Sequence, residues 1–127
     1  MSAAEVERIR QDPAYRLVDS RAAERYRGDV EPIDRVGGHI PGAVNAPYGE
    51  NLTSTGVFHP AEELRVRYEA LLGDVPPEKA VFYCGSGVTS IHSLLAMMYA
   101  GVGEGRLYAG SWSEWITNDE YPIGVGE

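Results

Sequence analysis

The stretch VFYCGSGVTS, residues 81–90, joins two different periodicities across a pair of glycines. Before it, Ala80, Val81, Phe82 and Tyr83 form a short apolar run rich in strand-forming residues. After it, Ile91, Leu94, Leu95, Met98 and Tyr99 recur at helical spacing through residues 88–100, and Gly101 supplies a stop. A buried strand handing over to a helix through a glycine turn is the unit from which α/β layers are built, so this stretch restricts the fold class more than any other. It also contains the only cysteine of the chain, Cys84.

The remaining segments agree with that unit. Residues 2–11 read as a short polar helix ending before Pro13. YRLVDSR (15–21) is a strand that ends at a capping Asp19-Ser20 pair, and 21–27 is a short charged helix. Residues 28–38 hold Gly, Pro and Asp and are predicted as loop. Ala43-Val44-Asn45-Ala46 makes a short strand between Pro41-Gly42 and Pro47, and a long loop runs on to Pro60. PAEELRVRYEALLG (60–73) opens on proline, places acids in its first turn and closes on glycine, with Leu64, Tyr68, Leu71 and Leu72 on one face. RLYAGS (106–111) is a last strand before a closing WSEW turn. Strands alternating with helices predict an α/β fold with a largely parallel sheet. The 127 residues are expected to form a single domain, 1–127, with a core of about 15–122.

Composition removes several function classes. One cysteine excludes an internal disulfide framework and the multi-thiolate zinc sites, and the three histidines have no ligand spacing, so no metal or cofactor is expected. A formal net charge of −8 without a basic block argues against nucleic-acid binding. No apolar run reaches membrane-spanning length and MSAAEVERIRQDP lacks the core of a signal peptide, which predicts a cytoplasmic protein with a reduced thiol.

Cys84 falls where a strand ends and a glycine-rich loop begins. In open α/β sheets the carboxyl ends of strands are where ligands bind. Gly85 and Gly87 allow successive N–H groups to turn inward, and the helix starting near Thr89 adds the positive end of its dipole. A lone cysteine can also be a small buried hydrophobe. The conjunction here instead predicts a thiolate held in an anion cradle of Gly85, Ser86, Gly87, Val88, Thr89 and Ser90. No lysine follows the glycines, against a nucleotide phosphate loop. Position 90 is serine where a cysteine phosphatase needs an arginine, so the cradle suits one extra sulfur atom better than a phosphoryl group.

The segments LVDSR, RYRG, GHIPGAVNAP, CGSGVTS and GSWSEW together resemble the rhodanese superfamily over residues 15–122. They are most similar to the C-terminal catalytic half of tandem-domain thiosulfate and 3-mercaptopyruvate sulfurtransferases. The resemblance implies a three-layer fold with a five-stranded parallel sheet flanked by helices. It implies a two-step reaction in which Cys84 takes sulfur from thiosulfate or 3-mercaptopyruvate as a persulfide and passes it to cyanide, a thiol or thioredoxin. It further implies that Arg25 binds the anionic end of the donor, with Arg35 or Arg27 as the second arginine. Ser86 matches a loop serine that works in such enzymes with a His and an Asp of an N-terminal rhodanese domain, a domain these residues do not include. The alternative it leaves is a sulfur-relay or regulatory module dependent on a partner domain. His39, in the GHIPG turn, and Asp19 are expected to be structural. Trp112 and Trp115 are candidates for the rim of the site, with core packing the expected job of at least one, and His92 is a candidate for a surface or supporting position.

If the cradle holds a thiolate, Cys84 should alkylate with an apparent pKa below the free-thiol value of about 8.5. A titration of iodoacetamide reactivity that returns that value or a higher one contradicts the cradle.

Overall fold

The computed structural model describes residues 1–85 and 88–126, so Ser86 and Gly87 of the predicted cradle lie outside the described residues. Its centre is a pair of parallel strands, β1 (Arg16–Asp19) and β3 (Ala80–Tyr83), aligned from Arg16 opposite Ala80 to Asp19 opposite Tyr83. A short β2 (Val44–Asn45) extends the sheet beyond β1, and β4 (Arg106–Leu107) extends it beyond β3, both parallel. The order is β2-β1-β3-β4.

The described sheet therefore has four strands where the family resemblance implied five. The chain offers four strand-forming runs, and its amino-terminal residues are committed to helix α1 (Ala3–Ile9) by a reciprocal cap. The Ser2 hydroxyl accepts the Glu5 amide at 3.2 Å while the Glu5 carboxylate accepts the Ser2 amide at 3.0 Å. Near the other terminus, His39 and Gly124 form only an isolated antiparallel bridge.

Alternation along the strands divides the core into two layers. Leu17, Val81 and Tyr83 point to one face, where they pack with Val6 of α1, Tyr26 of α2 (Ala23–Arg27), and Trp112 and Trp115 of α5 (Ser111–Trp115). Val18, Ala80 and Phe82 point to the other, against Leu64, Tyr68 and Leu72 of α3 (Ala61–Leu72) and Ala96 and Met97 of α4 (Val88–Tyr99). The predicted inward face of α3 is thus borne out. A buried triad adds specificity on this side: the Tyr68 hydroxyl donates to Asn51 Oδ1 at 2.7 Å, and Asn51 Nδ2 reaches Ser93 Oγ at 3.5 Å. Among the described residues no helix is long and apolar enough to cross a membrane.

Helix α4 departs from what its pattern suggests. Four of the five residues in its apolar stripe face outward: Ile91, Leu95, Met98 and Tyr99 are each more than half exposed. The side against the sheet is made of Ser90, Ser93, Ala96, Met97 and Ala100. Periodicity locates a face but not its direction, and here small residues win the interior because they let the helix lie close to the strands. Leu95→Lys should therefore leave the stability of the isolated chain within about 0.5 kcal/mol, as for an ordinary surface change. Ala96→Leu should cost about 1–3 kcal/mol by overpacking. Urea denaturation of the two variants measures both, and the opposite ranking would reverse the orientation of the helix.

Candidate active site

After β1 the chain passes to β2 on one side, and after β3 it passes to β4 on the other, so the direction of winding reverses between the two central strands. A crevice opens at such a switch point, outside the carboxyl ends of the strands. A cavity of about 300 Å³ lies there, bounded by Arg21, Ala22 and Arg25 from beyond β1 and by Gly85 and Thr89 from beyond β3. Tyr48 and Ser113 close two more sides, and Ile33 and Asp34 arrive from the 28–38 loop.

Cys84 sits directly behind Gly85 and is 1% exposed. Its backbone is pinned by the α5 segment. The Cys84 amide donates to Ser111 Oγ at 3.0 Å, the Cys84 carbonyl accepts the Trp112 amide at 2.9 Å, and the Gly85 carbonyl accepts the Ser113 amide at 2.9 Å. Ser111 adopts a left-handed φ of 56° and is fully buried, and its hydroxyl donates to the Tyr108 carbonyl at 2.9 Å. A non-glycine residue in that region is held there by its surroundings. Here both hydroxyl bonds do so. Because the Cys84 amide is already committed, amides available to an anion must come from Gly85 onward. Thr89 in the first turn of α4 borders the cavity, and buried Ser90 reaches Ser20 Oγ at 3.5 Å. The positive end of this twelve-residue helix thus borders the same cavity as Gly85.

Of the three predicted arginines, Arg25 reaches the cavity and the other two do not. Its Nη2 and Nη1 lie 3.4 and 3.6 Å from where a Cβ on Gly85 would stand, so the guanidinium rests against the backbone next to Cys84. Arg35 donates to the Ile116 carbonyl at 2.7 Å and does not line the cavity. Arg27 donates to Asp29 at 2.9 Å, outside the cavity.

A fourth arginine went unrecognised in the sequence. Arg21 is 2% exposed and forks onto Asp19, Nε to Oδ1 at 3.1 Å and Nη2 to Oδ2 at 2.7 Å, with a further bond to the Gly38 carbonyl. Its guanidinium lies 4.9 Å from the Trp112 ring centroid. Burial alone would lower its pKa, but the hydrogen bonds and charge of Asp19 outweigh that and raise it, so it stays cationic. Asp19, fully buried, has the structural role expected of it.

The other supporting residues divide. His39 is buried, with Nδ1 2.7 Å from the Tyr26 carbonyl and its ring stacked on Tyr26 at 3.9 Å. It is a scaffold residue, as expected. Trp112 and Trp115 are both fully buried and belong to the core rather than to the rim. His92 packs edge-on against Tyr48 and Phe58, and burial lowers its pKa, which keeps it neutral at pH 7.

Glu31 and Asp34 were also missed as site residues. The visible signal was a cluster of charges, Glu31, Asp34 and Arg35, within a loop rather than along a helix face. Burial alone would raise the Glu31 carboxyl, but bonds from the Asp34 amide, Arg25 and the Ile33 amide outweigh it and hold it below the ordinary range. With a folded-state value below the unfolded one, Glu31 contributes stability that is complete above about pH 4.3 and disappears as the pH falls through the lowered value. Glu31→Gln should accordingly be less stable than the natural chain at pH 7. The gap should narrow toward pH 3, as urea denaturation at the two pH values measures.

Comparison with known proteins agrees with this geometry. The chain matches the family described as Rhodanese-like domain over residues 2–118. It is 53% identical over 115 residues to a Pseudomonas aeruginosa protein named a probable 3-mercaptopyruvate sulfurtransferase, covering 91% of this chain and 40% of that one. It is 41% identical over 105 residues to the bovine thiosulfate sulfurtransferase, covering 80% and 35%. The anaerobic ergothioneine biosynthesis enzyme of Chlorobium limicola superposes with a TM-score of 0.86 at 24% identity, over 100% of this chain and 32% of that one, a likeness of fold. The chain thus spans less than half the length of these relatives. With its parallel sheet, its cysteine at the tip of β3 and a match over nearly all of its residues, the chain belongs to the rhodanese-like domain family.

Proposed function

We propose that this chain is a sulfurtransferase domain in which Cys84 carries sulfane sulfur as a persulfide, from thiosulfate or 3-mercaptopyruvate to a thiol, thioredoxin or cyanide. The observation that carries this reading is the placement of Cys84 at the carboxyl end of β3, next to Gly85, which faces the Arg25 guanidinium, and shortly before the start of α4. Helix dipole and cation both favour negative charge on sulfur.

In the first step the thiolate attacks the outer sulfur of the donor. With thiosulfate the S–S bond breaks and its electron pair leaves on sulfite. With 3-mercaptopyruvate the C–S bond breaks, and the carbon takes the electron pair and the thiol proton to become pyruvate. In the second step the acceptor attacks the terminal sulfur, and the Cys84 thiolate leaves. Covalent storage divides one hard displacement into two easier ones. Arg25 supplies the planar donor set that suits a carboxylate or sulfonate end and fixes it next to Gly85. Backbone amides from Gly85 onward would hold the developing charge on sulfur.

A second reading, a relay module completed by another domain, is favoured by one observation. The outward stripe of Ile91, Leu95, Met98 and Tyr99 is apolar and uncovered, and the relatives carry more than half of their length outside the matched region. An N-terminal rhodanese domain, as the resemblance implies, is the occupant we assign to that face. The module would then load sulfur alone but turn over slowly with cyanide until that domain is supplied.

Incubation with either donor should add one sulfur atom to Cys84 by intact mass spectrometry, removable with dithiothreitol and absent from Cys84→Ser. A chain that takes up no sulfur from either donor would remove the proposal.

A further inference from the structure

The cation that faces the donor is not a bare one. Arg25 Nη2 lies 3.0 Å from Glu31 Oε2 and 3.7 Å from Asp34 Oδ2, and its Nε is 3.4 Å from Glu31 Oε1. Glu31 lies outside the cavity lining, and its Oε2 also takes the amides of Ile33 and Asp34, so it serves to fix the loop. Asp34 differs in two respects. It borders the cavity itself, and only one of its oxygens is hydrogen-bonded, Oδ1 accepting the Ser113 hydroxyl at 2.9 Å. Oδ2 is closed off from solvent and has no hydrogen-bond partner among the described residues. Its one polar neighbour is the Arg25 guanidinium at 3.7 Å, too long for a hydrogen bond, and a buried carboxylate oxygen left in that state is costly.

The charges around the cavity give this oxygen a use. Arg21 and Arg25 stand against Asp19, Glu31 and Asp34, which leaves an excess of one negative charge before any thiolate on Cys84 is counted. One anionic group of a donor can meet Arg25. A second charge within a cavity of about 300 Å³ would be confined close to Asp34, while Arg21, the other cation of the lining, is already answered by Asp19 and by Glu31, 3.5 Å from its Nη1. The walls agree: Ile33, Ala22 and Tyr48 offer carbon surface, which suits a donor with a carbon skeleton and adds nothing to the hold on thiosulfate.

We propose that Asp34 is the specificity-determining residue of this site. It sets a charge limit that admits a monoanionic organic sulfur donor, of the 3-mercaptopyruvate class, and discriminates against a dianion such as thiosulfate. The inference rests on the sulfur-transfer reading and narrows it to one substrate class. Asp34 acts through its field and through Arg25. Asparagine at this position preserves the shape and can still accept from Ser113.

The test is the rate of sulfur loading onto Cys84 by each donor, followed in the natural chain, in Asp34→Asn and in Asp34→Glu. Asp74→Asn, which removes one exposed charge far from the cavity, controls for net charge. The natural chain and Asp34→Glu should prefer 3-mercaptopyruvate. In Asp34→Asn the ratio of kcat/KM for thiosulfate to that for 3-mercaptopyruvate should rise on the order of tenfold, mainly through KM for thiosulfate. Asp74→Asn should leave the ratio where it was. A measurement that needs no variant guards against misfolding: pyruvate should inhibit the natural chain at lower concentration than sulfate, the dianionic analogue of thiosulfate. Sulfate binding as tightly as pyruvate, or a ratio unchanged within twofold in a folded Asp34→Asn that still loads from both donors, overturns the role of Asp34 alone. Failure of both donors to load Cys84 in the natural chain overturns the sulfur-transfer reading, and the role of Asp34 with it.

Discussion

The in-register parallel pairing of β1 with β3 is the constraint on which the site depends. It places Asp19 opposite Tyr83, and the next amide, that of Ser20, donates to the Tyr83 carbonyl at 2.8 Å. The two strands therefore end side by side, and beyond their tips the two continuations of the chain must turn away from each other. One continuation brings Arg21 and, through α2, Arg25. The other brings Cys84 and α4. A shift of two residues in this pairing would keep the same faces buried but would separate the guanidinium from Gly85, against which it now packs. The sheet thus acts as a ruler between cation and nucleophile.

Holding two arginines beside a buried thiol has an electrostatic consequence. Each guanidinium removed from water needs a compensating charge. Asp19 answers Arg21 with a two-point fork, and Glu31 answers Arg25. Such pairs add little net stability compared with a well-packed apolar alternative, but they are strongly directional. Their effect is on the 28–38 loop, which contains no helix or strand of its own. Arg21 ties Gly38 at one end, Glu31 accepts two amides in its middle, and Asp34 reaches Ser113 next to the pinned Cys84 backbone. The loop is shaped by its charges, and those charges form one wall of the cavity.

This division explains what was legible in the sequence. The element order and the strand-end position of Cys84 are governed by local rules, namely turn residues, caps and period, and these can be read without coordinates. Asp19 and His39 were legible as scaffold for the same reason. The direction of the α4 stripe was not, because periodicity is silent on which side meets the sheet. The second arginine was not, because the sequence of a loop does not say which carbonyl a long side chain will find; Arg35 found that of Ile116. Ser111 was hidden by its ordinary identity: nothing in GSWSEW marks a serine in left-handed backbone holding the Cys84 amide. Core packing was expected for at least one of Trp112 and Trp115; that both pack was not legible, because large aromatics serve either place, and here the sheet face beneath α5 takes both.

The inverted character of α4 comes from the demands of its first turn. For the positive end of a helix to act on the loop after Cys84, the helix axis must come near the strand tips, since the effect fades within one turn. Close approach requires small residues on the facing side, and Ser90, Ser93, Ala96 and Ala100 supply them. Little bulk beyond Met97 can then be accommodated inward. Leu94, the one stripe residue partly enclosed, already has Cδ2 3.0 Å from where a Cβ on Gly105 would stand. The helix must hold its other large residues, Ile91, Leu95, Met98 and Tyr99, on the side away from the sheet, where Phe58 covers part of Tyr99 at a ring distance of 5.7 Å. The uncovered apolar surface beside the cavity is therefore a physical consequence of bringing a helix terminus close to a thiol. Tyr48, which lines the cavity, packs against His92 of the same helix, so α4 helps to hold the mouth of the site.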